Sequence, residues 1–222
     1  MMSKTFSVLA VIFSGVWGAS QATANPSFCD AIAGNLVANC GFETGDFTGW
    51  TIGGNALNPG GNYYGVDFFD ANSGLYGAYM SQDFVDAGTT PVTLSQTLAT
   101  SVGQKYTVTF FLEQDTPPTP GYMHGFTALW GATTMLSLTP SIASPGTVGS
   151  FTEYTYTETA TSASTVLSFS FENDDNYWSF DDTSVAAVAP EPSTGVLAGI
   201  ALCGLAGFLG WKRIVHPAVT AR

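Results

Sequence analysis

The sequence predicts an all-β protein, a two-sheet antiparallel sandwich of the jelly-roll type between an N-terminal signal peptide and a single C-terminal transmembrane helix. Three observations lead to this prediction. Charged residues are only 10% of the 222-residue chain and aromatic residues are 14%, which is unlike a helical bundle or a disordered acidic tail. Apolar residues alternate with hydroxyl side chains along the middle of the chain, and an apolar run near each end is flanked by basic residues.

The N-terminal segment has the three parts of a secretory signal peptide. Lys4 precedes an apolar run over residues 6–16, and small residues follow up to Ala22-Thr23-Ala24. This order predicts a signal peptide over residues 1–24, with cleavage after Ala24. The alternative is an uncleaved anchor, but the run is too short to span a bilayer comfortably.

The middle of the chain, residues 25–187, is expected to fold as one extracellular β-sandwich. Alternation is clearest in residues 92–98, 106–112 and 167–171, where each run predicts a half-buried strand with hydroxyls facing out. Turn clusters such as Asn58-Pro-Gly-Gly-Asn62 separate the runs. Further strands are predicted at 36–39, 50–53, 63–69, 76–81, 126–129, 135–138, 151–157 and 178–185.

The charge distribution excludes one large class of partner. Between Asn25 and Glu191 lie all 17 acids but a single base, Lys105, so the net charge of this block is 1 − 17 = −16. Nucleic-acid binding is therefore excluded, and an anionic membrane surface would repel the domain. The same shortage of bases suggests that divalent cations balance any buried carboxylates.

Cys29 and Cys40 are the two cysteines of the exported block, since Cys203 lies in the C-terminal apolar run. An exported pair meets an oxidising compartment, which favours a Cys29–Cys40 disulfide. The alternative is two free thiols.

The C-terminal apolar run predicts one membrane span. Residues 194–211 contain no charge, and Lys212 and Arg213 follow at once. A stretch of this length is just enough for one transmembrane helix with its bases on the cytoplasmic side. The alternative, a buried core helix, does not account for the flanking bases.

The last part of the chain, residues 188–222, resembles the PEP-CTERM sorting signal. The features that match are Pro190, Glu191 and Pro192, the apolar span, and the basic pair Lys212 and Arg213. The resemblance implies processing by an exosortase, with an inner-membrane-anchored intermediate that is then delivered to the cell surface or matrix of an exopolysaccharide-producing Gram-negative bacterium. In that family Glu191 would serve recognition and not catalysis.

The start of the exported block resembles carbohydrate-binding-module-like jelly rolls with a galactose-binding-like fold. Residues 35–50 read NLVANCGFETGDFTGW, close to the opening N-L-x-x-N-G-x-F-E followed by G-W, although Cys40 stands where Gly is usual. Members of this fold are often sugar binders, but the fold alone does not establish the function. A sugar site needs aromatic platforms, for which the exposed candidates are Tyr63, Tyr64, Tyr122 and Trp130. Trp50 and Trp178 are expected in the core.

The same resemblance implies a structural calcium ion where the first and last strands meet, with Glu43 and Asp182 as its ligands. Asp182 shares a strand face with Phe180 and Trp178 and is expected to point inward, where a carboxylate must be paired, hydrogen-bonded or bound to a metal. The alternative is that Asp182 accepts backbone hydrogen bonds with no ion.

An enzyme is not expected. The exported block contains one histidine, His124, which is interpreted as a loop or surface residue, and neither G-x-S-x-G nor H-E-x-x-H occurs. The sequence therefore favours a non-catalytic binding module associated with exopolysaccharide in a biofilm matrix. The alternatives are a structural matrix or adhesion protein without a specific glycan site and a polysaccharide-active enzyme, which a cleft with paired carboxylates would favour.

Overall fold

The computed structural model describes residues 26–54, 64–81, 90–117, 124–138, 148–173 and 176–189. The predicted signal peptide, Tyr63, Tyr122 and the predicted sorting motif with the residues that follow it lie outside these ranges. Within them, no helix has both the length and the apolar character that crossing a membrane would require.

Nearly all regular structure in the described ranges is β-strand, with one short 3-10 helix at Phe28–Ala31. The strands are β1 Thr51–Gly54, β2 Tyr64–Asp67, β3 Gly77–Met80, β4 Val92–Ala99, β5 Lys105–Gln114, β6 His124–Trp130, β7 Thr133–Leu138, β8 Thr152–Thr159, β9 Ser164–Asn173 and β10 Trp178–Ala187.

These strands form two five-stranded sheets within the described ranges. The first sheet has the order β1-β4-β9-β6-β7, and the second has the order β2-β3-β10-β5-β8. All strand pairs within the two sheets are antiparallel. The predicted all-β, two-sheet antiparallel sandwich is confirmed.

Aromatic side chains fill the space between the sheets. Phe169 of the first sheet lies 4.6 Å from Phe180 and 5.2 Å from Phe110 of the second, measured between ring centroids. Phe126 contacts the same group, and Trp50 and Trp178 are buried as expected. Each such ring removes ~150–250 Å² from water, so this cluster contributes much of the stability of the sandwich.

The alternating runs lie where the sequence places them, but the strand expected at residues 36–39 is wrong. In β9, Leu167, Phe169 and Phe171 are buried while the serines between them are partly exposed. Residues 36–39 instead belong to an irregular arm whose backbone turns at Asn39, with a φ of +48°. The Asn39 side chain donates to the Asp46 carbonyl (2.9 Å), which stabilises a local turn in place of strand pairing.

The N-terminal arm is attached to β10. Cys29 and Cys40 form a disulfide with a Cα–Cα distance of 6.0 Å. The Thr183 amide donates to the Cys40 carbonyl (2.9 Å), and the Leu36 amide donates to the Val185 carbonyl (2.9 Å). The arm therefore covers the middle of β10, close to the irregularity between Asp181 and Ser184 where the register with β5 shifts.

Candidate functional site

One row of residues crosses the outward face of the second sheet. Gly65 of β2 pairs with Tyr79 of β3, Tyr79 pairs with Ser179 of β10, and Ser179 pairs with Glu113 of β5. The neighbours of Tyr79 and Ser179 along their strands, including Met80 and Phe180, are buried in the core. Because side chains alternate along a strand, this row faces away from the core.

A pocket of about 270 Å³ opens at this row, lined by Asp67, Asp70, Tyr79, Asp115 and Tyr177. Asp67 ends β2, Asp115 follows β5, and Tyr177 precedes β10. The pocket thus extends along the outward face over the length of the short strands β2 and β3, from the end of β2 to the start of β10.

Ser179 connects two of the carboxylates that line the pocket. Its buried hydroxyl lies within hydrogen-bonding distance of Asp70 Oδ1 and also 3.0 Å from Asp115 Oδ1. One hydroxyl has one hydrogen, so it can donate to only one of the two carboxylates. The second contact is a hydrogen bond only when that carboxyl group holds a proton of its own and donates it to Ser179.

The electrostatics of the pocket favour such a proton. Burial raises the pKa of Asp70 to about 7, an effect that the Ser179 hydrogen bond opposes and nearby Asp67 reinforces. Burial also raises the pKa of Asp115 above its usual value. Near neutral pH the pocket can therefore both donate and accept protons.

Two tyrosine rings form the other half of the pocket. Tyr79 and Tyr177 pack edge to face, with ring centroids 5.5 Å apart and an interplanar angle of 88°. The Tyr79 ring lies against the backbone of Gly65, where any Cβ would collide with the phenol. Burial, followed by the charge of Asp67, raises the pKa of Tyr79, so its hydroxyl stays a neutral donor at neutral pH.

An exposed aromatic pair stands beside the pocket. Phe68 and Phe69 are 62% and 80% exposed, and they occupy the two positions between the pocket residues Asp67 and Asp70. Their ring centroids are 4.0 Å apart. Side chains this apolar and this exposed are typical of contact surfaces for a ligand or partner.

The loop after Phe69 is held by two buried carboxylates of β10. Asp181 Oδ2 accepts from the amides of Asn72 (2.8 Å) and Ser73 (3.2 Å). Asp182, with a φ of +52°, accepts from Asn72 Nδ2 (2.7 Å) and Ser73 Oγ (2.6 Å). Burial, followed by the charge of Asp182, raises the pKa of Asp181 to about 9.

Glu43 and Asp182, the calcium ligands that the resemblance implies, both accept hydrogen bonds from protein groups. Glu43 accepts from the amides of Leu75 (2.9 Å) and Tyr76 (3.3 Å), while Asp182 Oδ1 accepts from the Cys29 amide (3.3 Å). Within the described ranges, neither residue belongs to a group of three potential metal ligands within 4.8 Å of one another. The surroundings of the Glu43 and Asp182 carboxylates therefore fit hydrogen-bond acceptance better than calcium coordination. Calcium stays a prediction, which a melting temperature measured with and without chelator tests.

The expected aromatic platforms are only partly where the sequence places them. Trp130 was expected to be exposed and is only 4% exposed, because it lies between the sheets against Tyr106 and donates from Nε1 to the Thr159 carbonyl. Tyr64 is half-buried and packs on Phe47, with ring centroids 6.0 Å apart. Tyr63 and Tyr122 lie outside the described residues.

His124, interpreted from the sequence as a loop or surface residue, is buried on β6 and 3% exposed. Its Nδ1 lies 3.3 Å from the Gln114 side-chain nitrogen, so it joins the two sheets at one end of the core. The Pro- and Gly-rich sequence before it suggested a loop, but β6 already begins at His124.

Nothing in the sequence pattern indicates that the pocket residues form one group, namely Asp67, Asp70, Tyr79, Asp115 and Tyr177. Alternation alone could have placed Tyr79 outward, between inward Ala78 and Met80. The order β2-β3-β10-β5 brings the five residues together, and hydrophobic periodicity carries no information about which strands pair.

A second cavity lies on the first sheet and has fewer ionisable and aromatic side chains in its lining. It measures about 300 Å³ and is lined by Pro91, Gly125, Phe126, Thr127, Ser137, Leu138, Ser170 and Glu172. Among the described residues that line it, the one aromatic ring, Phe126, is buried in the core.

No protein-family model matches the chain. The search of curated proteins likewise finds no relative.

Solved structures share the architecture at low identity. A cyclase from Fischerella sp. TAU superposes with a TM-score of 0.50 at 19% identity, covering 71% of this chain and 98% of the cyclase. The module TmCBM61, solved in complex with beta-1,4-galactotriose, gives 0.48 at 18% identity, with 69% and 99% covered. The K1 cleaved adhesin domain of Lys-gingipain from Porphyromonas gingivalis W83 gives 0.46 at 17% identity, with 67% and 96% covered. The likeness to the cyclase shows a shared sandwich fold, and the function has to be argued from the site.

Proposed function

We propose that this chain is an exported surface or matrix protein whose β-sandwich binds a glycan, without catalysis, in the pocket of Asp67, Asp70, Tyr79, Asp115 and Tyr177. The observation that carries the proposal is the combination of two tyrosine rings with three carboxylates in one concave site. Carboxylates accept hydrogen bonds from sugar hydroxyls, while aromatic rings pack against the apolar C–H faces of a sugar ring.

The size of the site sets what it can hold. A volume of about 270 Å³ lies just below the usual range of small-molecule pockets, ~300–1,000 Å³. The site therefore suits one sugar ring, with Phe68 and Phe69 beside the opening as a contact for a neighbouring part of the chain.

A glycan array probed with the full-length protein, including the exopolysaccharide of the source bacterium, tests the proposal. Tyr79→Ala should abolish retention, because it removes the pocket wall. Val102→Ala, which truncates a 71% exposed side chain just before the Lys105 end of β5, is the matched control and should bind as the wild type does. Retention that survives Tyr79→Ala would show that the glycan binds outside this pocket. Retention of no glycan on the array would argue for a structural matrix role.

Export and sorting form the second part of the proposal. The signal peptide, the Pro190-Glu191-Pro192 motif, the apolar span and the Lys212-Arg213 pair support an exosortase substrate that passes through the inner membrane to the surface. Deleting the exosortase gene of the source bacterium should trap the full-length protein in the membrane fraction, and unchanged release would contradict the assignment.

A polysaccharide-active enzyme is the second candidate, favoured by the two carboxyl groups that share Ser179. A pKa of about 7 at Asp70 suits a general acid at neutral pH. New reducing ends released from a bound polysaccharide, and lost with Asp70→Asn, would establish this function in place of simple binding.

A further inference from the structure

We infer that the pocket selects an amine-bearing sugar, a glycan containing unacetylated hexosamine, over neutral and uronic-acid glycans. The inference rests on the proposed function, since it concerns the ligand class of the same pocket. It depends on the charges around the pocket, on the spacing of its carboxylates and on its aromatic wall.

A negatively charged sugar would find no partner here. The one Lys or Arg in the described ranges, Lys105, begins β5, whereas Asp115 follows the other end of that strand. Ten residues of strand separate them by ~33 Å, several times the Debye length of ~8 Å. A uronate would therefore lie against three aspartates with no base in reach, which leaves a desolvated charge unpaired.

An ammonium group matches what the pocket offers. It carries three hydrogens to donate, and Asp70 and Asp115 present acceptor oxygens on either side of a serine hydroxyl that can serve only one of them. Asp67, on the same pocket wall, remains to accept from the hydroxyls of the sugar. The Tyr79 and Tyr177 rings supply faces that attract a cation. The positive charge would also offset the mutual repulsion that the aspartates experience without it.

A bare metal ion fits the same residues less well. Coordination needs several oxygens at ~2.3–2.6 Å from one point. Across the described ranges, the carboxylate oxygens of Asp67, Asp70 and Asp115 do not all come within 4.8 Å of one another. A ligand that spreads its donors over a sugar ring can reach oxygens that one ion cannot.

The test is a titration of the full-length protein at about pH 6 with three oligomers of equal length: glucosamine, N-acetylglucosamine and galacturonic acid. We expect the glucosamine oligomer to bind at least about tenfold more tightly than its acetylated form, and the galacturonate oligomer to bind most weakly. Asp115→Asn keeps the shape of the pocket and removes one charge, so it should bring the first two affinities to within about threefold.

Glu158→Gln is the matched control. It removes one charge beside Tyr106, at the Lys105 end of the sheet, and should leave the preference unchanged. Asp67→Asn replaces Asp115→Asn if the latter fails to fold. Equal binding of the amine and acetylated oligomers would overturn the amine selectivity and leave glycan binding intact, and tighter binding of the uronate would overturn it as well. Failure of every glycan on the array would overturn the proposed function itself.

Discussion

Individual buried carboxyl groups set the response of this protein to pH. Asp181 has three backbone amides as donors and no basic side chain among them, and it stands beside the second carboxylate, Asp182. Its pKa of about 9 in the folded protein lies far above the reference value of 3.8. Folding therefore favours the protonated form of Asp181.

The free energy of unfolding should fall as the pH rises from acidic to mildly alkaline values. Because the folded pKa exceeds the unfolded one, the contribution of Asp181 is complete below about pH 4 and is lost as the pH rises through about 9. Asp70, with a pKa of about 7, acts in the same direction more weakly because it is more exposed. Urea denaturation at a series of pH values should show a falling free energy of unfolding between about pH 5 and pH 8.

The matched variant for this prediction is Asp181→Asn. Asparagine cannot ionise, so the decline should flatten, although the amide loses about one hydrogen bond, to the Asp182 amide, at ~1 kcal/mol. An unchanged slope in Asp181→Asn would show that other groups control the pH response.

Gly65 allows a mild change in the pocket. A Cβ at residue 65 would collide with the Tyr79 phenol, which is the free end of a side chain and can move aside. Gly65→Ala should therefore weaken glycan binding by about tenfold while the melting temperature changes little. A large loss of stability, measured by thermal denaturation, would show that Tyr79 is fixed where it stands.

At the scale of secondary-structure elements, strand identity was predictable and strand pairing was not. In runs such as 106–112 the alternation of apolar and polar residues is visible in the sequence itself, and the inward residues of these runs form the core. The prediction of a strand at residues 36–39 was wrong because apolar residues also pack next to turns. Over so few residues, a period-2 pattern does not distinguish such a segment from a short strand. Predicting the pocket would have required knowing which strands pair. The same is true of the burial of Trp130, which packs against Tyr106 between the two sheets.

The loop over residues 70–75 should depend on its attachment to β10. Asn72→Ala removes the 2.7 Å bond from Nδ2 to Asp182 and should cost ~1–3 kcal/mol in the free energy of unfolding, since a buried carboxylate loses a donor. Asn72→Asp should cost more at about pH 7, because it sets a carboxylate against Asp182, and less in acid. Equal losses for the two variants at neutral pH would contradict this electrostatic account.

The Cys29–Cys40 disulfide should stabilise the arm on β10. It closes a loop with a sequence separation of 11, for which chain entropy gives ~3 kcal/mol. The double variant Cys29→Ser, Cys40→Ser should lose about this much in denaturant unfolding, and reductant should then have no further effect on it. A variant as stable as the oxidised wild type would show that the hydrogen bonds to β10 suffice.

At the scale of the whole molecule, the charge distribution argues against an anionic ligand. A block of net charge −16 with Lys105 as its single base has little to offer an anionic partner, and its three pocket aspartates lie far from that base. Composition predicted the exclusion of nucleic acid. It could not locate a site, because 17 carboxylates give no hint of which three converge until the strands are paired.

The most direct test of the central claim is to map a bound glycan by chemical-shift changes in the isotope-labelled full-length protein, using the tightest ligand from the array. The largest shifts should fall on Asp67, Asp70, Tyr79, Asp115 and Tyr177, on the outward face of the second sheet. Shifts centred instead on Thr127, Ser137 and Ser170, in the cavity of the other sheet, would contradict the assignment of the site.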